Sequence, residues 1–354
     1  MPLIRFKPIL VITAFGTIIL CARTQPHSAR LLFTGDILLS RHVASELEHR
    51  RVSPWGRFTD FFHNAQWVSG NLEGAFGSPS GCIESARLCF ASPDSAVEFL
   101  RMAGFHGLTL ENNHAGDLGS AGRDRTRNLL ERESLVPVDF ENSPQFARVG
   151  DATFALISVT VIPAADGRVQ RIPSTELSQK LRSAQEAADL VVVSIHWGNE
   201  YQKLPDGGQR AQAHWLIQQG ADLIVGHHPH VVQIPECIDG HPVFFSLGNH
   251  VFDQTYPPTK EGLRDKNTRI VYQHIDPAES GNGGVYDLCG HFRVADVSID
   301  QCKIYRRRER ICFGNVSRVR NHVVTPIQKS FHKTCSDPLR AAGDNRCVLY
   351  VCHF

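Results

Sequence analysis

Ala221-Asp222-Leu223-Ile224-Val225-Gly226-His227-His228-Pro229-His230-Val231-Val232-Gln233 sets a short apolar run directly against a group of imidazoles. Leu223-Ile224-Val225 reads as a strand buried on both faces, ending at Gly226. Three histidines follow within four residues. Imidazole is the commonest side-chain metal ligand, and ligands at the end of a rigid strand grip a cation with little reorganisation. Pro229 lacks an N–H and fixes its own φ, so the segment is stiff and does not continue as a helix. The competing reading is a polar turn whose histidines cluster by chance.

The flanking sequence repeats one pattern. Arg30 to Thr34 reads as a strand ending in Gly35-Asp36, and Gln66 to Ser69 as a strand leading into Gly70-Asn71-Leu72-Glu73. Gly107 to Leu110 is followed by Glu111-Asn112-Asn113-His114-Ala115-Gly116-Asp117, and Asp189 to Ile195 by His196-Trp197-Gly198-Asn199-Glu200-Tyr201. Thr153 to Val159 is a further buried strand, and Pro242 to Leu247 ends in Gly248-Asn249-His250. Helices are expected after Ser92 as N-cap with Pro93 first, over Ala121 to Glu133, over Ser174 to Ala188, and over Gln209 to Gln219 with Gly220 as its stop. Strand alternating with helix argues an α/β core. Ligands in such folds gather beyond the carboxyl ends of strands. Asp36, Glu73, Asn113, His114, His196, His228, His230 and Asn249 all stand there, too many for packing needs alone. Arg41 reads either as a cleft residue or as a surface charge.

The chain has 354 residues, a formal net charge of +1 and 42% hydrophobic content, a globular composition that gives no electrostatic case for nucleic acid. Arg306-Arg307-Arg308 reads as a solvated edge. Arg5 and Lys7 precede an apolar run from Pro8 to Ala22, the charged and apolar regions of an export signal, short for a membrane span. The expected organisation is an export signal or membrane anchor over 1–28, a domain over 29–300 and a cysteine-containing extension over 301–354. An exported protein of the cell envelope follows, whether periplasmic, secreted or held by its N-terminal segment. Ten cysteines agree, since oxidising compartments tolerate disulfides. Cys82 and Cys89 are placed to staple one loop. Cys289, Cys302, Cys312, Cys335, Cys347 and Cys352 lie in the last quarter, and the absence of any C-x-x-C pair argues against a zinc knuckle. Tyr256 to Gly284 reads as a long polar loop, and Val285 to Tyr305 alternates as a strand does.

Carboxylate, amide and imidazole together suit borderline divalent ions, Mn, Fe or Zn, where calcium would take oxygens alone. The donor count exceeds one tetrahedral site and fits two ions sharing a bridging carboxylate. Two ions about 3.5–4 Å apart stabilise the attacking and leaving oxygens of an in-line displacement and lower the pKa of bound water toward about 7.

In order along the chain, the Gly35-Asp36, Asn71-Leu72-Glu73, Asn112 to Asp117, His196 to Tyr201, Gly226 to Gln233 and Ser246 to Gln254 motifs resemble the CapA family, the poly-gamma-glutamate capsule biosynthesis proteins. These belong to the calcineurin-like metallophosphoesterase superfamily. The resemblance covers about residues 30 to 255. It implies a four-layer α/β/β/α sandwich with a dinuclear site. By motif, Asp36 and His230 would bind one metal, Asn113, His196 and His228 the second, with Glu73 near the bridging position. His114 would be the acid that protonates the leaving group. Three departures stand out. Leu38 occupies the position of a metal-binding histidine, Asn71/Glu73 replaces the bridging aspartate, and His250 stands where an aromatic ring is common. The resemblance implies a metal-dependent hydrolase site serving capsule or poly-gamma-glutamate biosynthesis and export. Its substrate would be an anionic polymer or a phosphoester, its setting a capsule-synthesis membrane complex. The alternatives are a non-catalytic assembly or binding factor and a 5′-nucleotidase-like phosphohydrolase.

Overall fold

The computed structural model describes residues 29–254 apart from 51, 52, 57 and 151, together with short strands at Val11–Ile12, Ile18–Ile19, Ala295–Ile299 and Val348–Val351. Most of the expected export signal, the Tyr256 to Gly284 loop, and Cys21, Cys289, Cys302, Cys312, Cys335, Cys347 and Cys352 lie outside the described residues. Val11–Ile12 pairs antiparallel with Ile18–Ile19. Among the described residues no helix is long and apolar enough to cross a membrane.

Two sheets carry the fold. In the first, β1 (Ala29–Ile37), β2 (Trp67–Leu72), β3 (Gly107–Thr109) and β4 (Val136–Val138) run parallel in that order. In the second, β5 (Gln145–Val149) pairs antiparallel with β6 (Ala152–Thr160). Parallel pairing then runs through β7 (Leu190–His196), β8 (Leu223–His227) and β10 (His241–Phe244), with β9 (Glu236–Ile238) antiparallel on the edge. β11 (Asn249–Val251) crosses back to lie parallel beside β1, and β12 (Ala295–Ile299) pairs antiparallel with it, followed by β13 (Val348–Val351). The result is an α/β fold of parallel and mixed sheets.

Side-chain alternation divides the core. Leu32, Val68 and Leu108 point from the first sheet toward Leu47 of α1 (Arg41–Arg50), Phe62 of α2 (Phe58–His63), Leu100 of α3 (Val97–Ala103) and Leu130 of α4 (Gly119–Arg132). Their sequence neighbours Leu31, Phe33 and Trp67 point the other way, onto Phe154, Leu156, Val192, Val225 and Phe244 of the second sheet. Ile157, Val193 and Ile224 meet Leu181 of α5 (Thr175–Ala187) and Leu216 of α6 (Gly207–Gln218) on the far side. This ordering of helices, sheet, sheet and helices is consistent with the stacking that the resemblance implies. Strands between two apolar layers are buried throughout, as β7 is.

Several boundaries differ from expectation, each for a local reason. β1 continues past Thr34 to Ile37, with an irregularity between Phe33 and Asp36. Gly35 permits it, since a Cβ there would stand 1.9 Å from the Gly248 carbonyl oxygen. β8 does not stop at Gly226 but runs to His227, because Gly226 lets the Phe245 carbonyl and the Trp197 indole approach. Ser92 is no helix cap. Ala91–Ser92 pairs with Ala75–Phe76 as a short strand, its carbonyl accepts from Gly77 N, and α3 starts only after a 3-10 turn over Asp94–Ala96. Ser174 does cap α5, accepting from Leu177 N at 3.2 Å. α6 begins at Gly207 because Asp206 and Gln209 form a capping box.

Candidate metal centre

Both sheets point the carboxyl ends of their parallel strands into one cleft. Asp36 comes from the end of β1 and Glu73 from just beyond β2, while Asn113 and His114 follow β3. His196 is the last residue of β7, and His228 and His230 follow β8. Asp36, Glu73 and His196 offer ligand atoms within 4.8 Å of one another, and so do Glu200, His228 and His230. Asn113 joins them, its Oδ1 2.7 Å from His196 Nε2. The pairings implied by the resemblance are also present: Asp36 Oδ2 lies 3.4 Å from His230 Nδ1, and the His196 and His228 rings are 4.7 Å apart.

The carboxylates are held differently. Asp36 Oδ1 accepts from Asn71 Nδ2 at 2.9 Å and lies 3.1 Å from His227 Nδ1. Burial raises the Asp36 carboxyl, but hydrogen bonds and charge from His227 and His230 outweigh it and hold it well below the usual carboxylate range. Glu73 has less support, the charge of His230, whose Nε2 lies 3.6 Å from Oε1. It is fully buried, and neither carboxylate oxygen has a hydrogen-bond partner among the described residues. Burial, helped by the Asp36 charge and opposed by His230, pushes it up to about 8. His230 reaches about 9, since Glu73 and Asp36 overcome its burial, whereas burial and the charge of His230 bring His228 down to about 4. His196 is pushed well below its ordinary value by burial and by His228. A buried carboxyl pushed toward its neutral acid, beside His196 and His228 kept neutral and a charged His230, is a costly arrangement that a divalent cation would relieve. The donor set therefore fits the metal that the motifs imply.

Backbone strain marks the same place. His228 at φ 95°, His230 at φ 57° and Tyr201 at φ 62° are non-glycine residues in the left-handed region. Asn249 Oδ1 meets His230 Nδ1 at 2.8 Å and fixes its ring.

His114 stands beside these groups and in neither. Its Nδ1 is 2.9 Å from Asp117 Oδ2, and its ring stacks on Phe90 with centroids 3.7 Å apart. Asp117 Oδ2 also accepts from Phe90 N at 2.7 Å, and Ile83 N donates to the Asp117 carbonyl at 2.9 Å. Cys82 and Cys89, as expected, form a disulfide that joins the two ends of this loop. Arg41 faces the cleft rim: it pairs with Asp253 and lies over the rings of Phe90 and Phe252. Leu38 is fully buried with Phe90 and Phe252, and offers nothing to a metal. His250 packs among Trp55, Phe62 and Phe105 and accepts from Trp55 Nε1 at 2.8 Å, so it replaces an aromatic ring and is not a ligand.

A family model described as bacterial capsule synthesis protein PGA_cap matches residues 30–254, the stretch that supplies the second sheet, β1 to β4 and β11 of the first, and every residue of the cleft. The chain belongs to this family. It is 30% identical over 274 residues to the capsule biosynthesis protein CapA of Bacillus anthracis, covering 68% of this chain and 65% of that protein. It is 29% identical over 285 residues to the PGA biosynthesis protein CapA of Bacillus subtilis strain 168, covering 76% and 71%. Membership is consistent with the calcineurin-like superfamily. Glu200 and Asp117 stand inside the quoted motifs without a role, and His227, one of the three clustered histidines, is outside the expected ligand set although it lies against Asp36 in the cleft. The signal for Glu200 was a carboxylate in the glycine-bearing turn four residues past His196.

Proposed function

We propose that this chain is an exported protein of capsule or poly-gamma-glutamate biosynthesis, with a metal-dependent hydrolase site formed by Asp36, Glu73, Asn113, His196, His228 and His230. The observation that carries this is Glu73, fully buried with no hydrogen-bond partner to either oxygen among the described residues and with a ligand atom within 4.8 Å of those of Asp36 and His196. The relatives' names supply the capsule context. Divalent ions held there would supply Lewis-acid activation of water and of the scissile group. His114, held by Asp117 and in neither ligand group, would protonate the leaving group. Its substrate is an anionic polymer or a phosphoester, and its setting a membrane-bound synthesis complex. Residues 1–28 serve as the export signal or anchor, 29–300 as the functional domain, and 301–354 as an extension.

A second reading is a binding or assembly factor with the fold and no turnover. Leu38 favours it, because one customary ligand position holds hydrocarbon. One experiment separates the two. Metal-loaded protein is assayed on phosphomonoester, phosphodiester and gamma-glutamyl substrates, beside His114→Ala. The enzyme reading expects metal-dependent turnover that falls about 10²–10⁴-fold in the variant while metal content stays. A metal-replete wild type inactive on the whole panel, whose His114→Ala form still supports polymer production in cells, would establish the binding factor.

A further inference from the structure

We propose that Glu200 is a metal ligand: with His228 and His230 it forms a second donor group, which compensates for the apolar Leu38 beside Asp36. The proposal rests on the metal reading of the cleft and adds a ligand from outside the motif-derived set.

Leu38 itself supplies no ligand atom, its side chain packing with Phe90 and Phe252. In the loop after β7, Glu200 offers a carboxylate oxygen within 4.8 Å of ligand atoms on both His228 and His230. His228 Nδ1 is buried with no hydrogen-bond partner among the described residues, so that ring is not there to serve a protein hydrogen bond through that atom. The backbone secures the approach. Gly198 at φ 77° turns the loop after β7, and Tyr201 N donates to the Pro229 carbonyl at 2.8 Å, tying the residue after Glu200 to the middle of the histidine segment. Gln233 Nε2 donates to the Gln202 carbonyl at 2.9 Å and closes the same junction further along. On the other side Trp197 N donates to the His227 carbonyl at 3.2 Å, so Glu200 is bracketed by contacts to the segment that supplies its two partners.

Two imidazoles and one carboxylate are a set for zinc or another borderline divalent ion, and three protein donors leave positions for water or substrate. Glu200 is solvent-exposed while His228 and His230 are buried. An ion in this group is therefore the one nearer solvent, and the Asp36, Glu73 and His196 group holds the deeper one.

The test titrates metal-free wild type, Glu200→Gln, Glu200→Asp and His228→Ala with Zn²⁺, and separately with Mn²⁺, against a chromogenic chelator. Because Glu200 is exposed, Glu200→Gln keeps the fold, which far-UV circular dichroism checks. The expected result is a loss of at least about tenfold in affinity for one ion in Glu200→Gln, with the other ion unchanged and partial recovery in Glu200→Asp. Wild-type affinities for every bound ion in Glu200→Gln would overturn the assignment and leave the cleft's metal reading standing. A wild type that takes up no ion at all would remove the metal reading itself, and this proposal with it.

Discussion

At the scale of single residues, the cleft stores opposed protonation demands that a cation would relieve. Without metal, Glu73 sits near 8 and His230 near 9, each above its ordinary value. Both bind more protons folded than unfolded, Glu73 between its unfolded value of about 4.3 and 8, His230 between about 6.5 and 9. Their contribution to stability is full at low pH and is lost as pH rises through those folded values. His228, lowered to about 4 by burial, acts in the opposite sense, but only below about 6.5. Chelated protein should therefore lose thermal stability as pH is raised from about 6.5 to 9, and added metal should protect it most at the alkaline end. Thermal melts with and without chelator across that range measure this. A melting temperature of the chelated form that rises toward pH 9 would contradict it.

At the scale of elements, a loop and its staple govern His114. Ile83 at one end and Phe90 at the other both hold Asp117, and Cys82–Cys89 joins those ends. Opening so short a loop releases about 2 kcal/mol of constraint on the unfolded chain. Cys82→Ser/Cys89→Ser should accordingly melt lower and turn over more slowly, with metal content unchanged. Elemental analysis and assay of the double variant check this, and loss of metal in step with activity would refute the separation of staple from site. The same scale explains what the sequence revealed. The long apolar strands β6, β7 and β8 were legible because burial on both faces leaves unbroken hydrophobic runs. The donors at their ends were legible because few chemistries ask for imidazole and carboxylate there. β4 was hidden, since Val136-Pro137-Val138 carries a proline in a three-residue strand. α2 has six residues, too few to display a period. Glu200 reads as an ordinary surface acid until Tyr201 is seen bonded to Pro229, a contact set by tertiary folding.

At the scale of the whole molecule, neither sheet owns the site. Asp36, Glu73 and Asn113 come from the first sheet, His196, Glu200, His228 and His230 from the second. The apolar layer of Leu31, Phe33, Trp67, Phe154 and Phe244 holds them face to face. Metal binding and sheet packing are therefore coupled, and the folded cleft is the ligand. The cleft is expected to hold transition metal. The direct measurement is elemental analysis of the mature protein, purified without chelator and again after reloading with manganese, iron or zinc. One to two ions per chain are expected, and fewer in His228→Ala. Stoichiometric absence of metal in both preparations would contradict it.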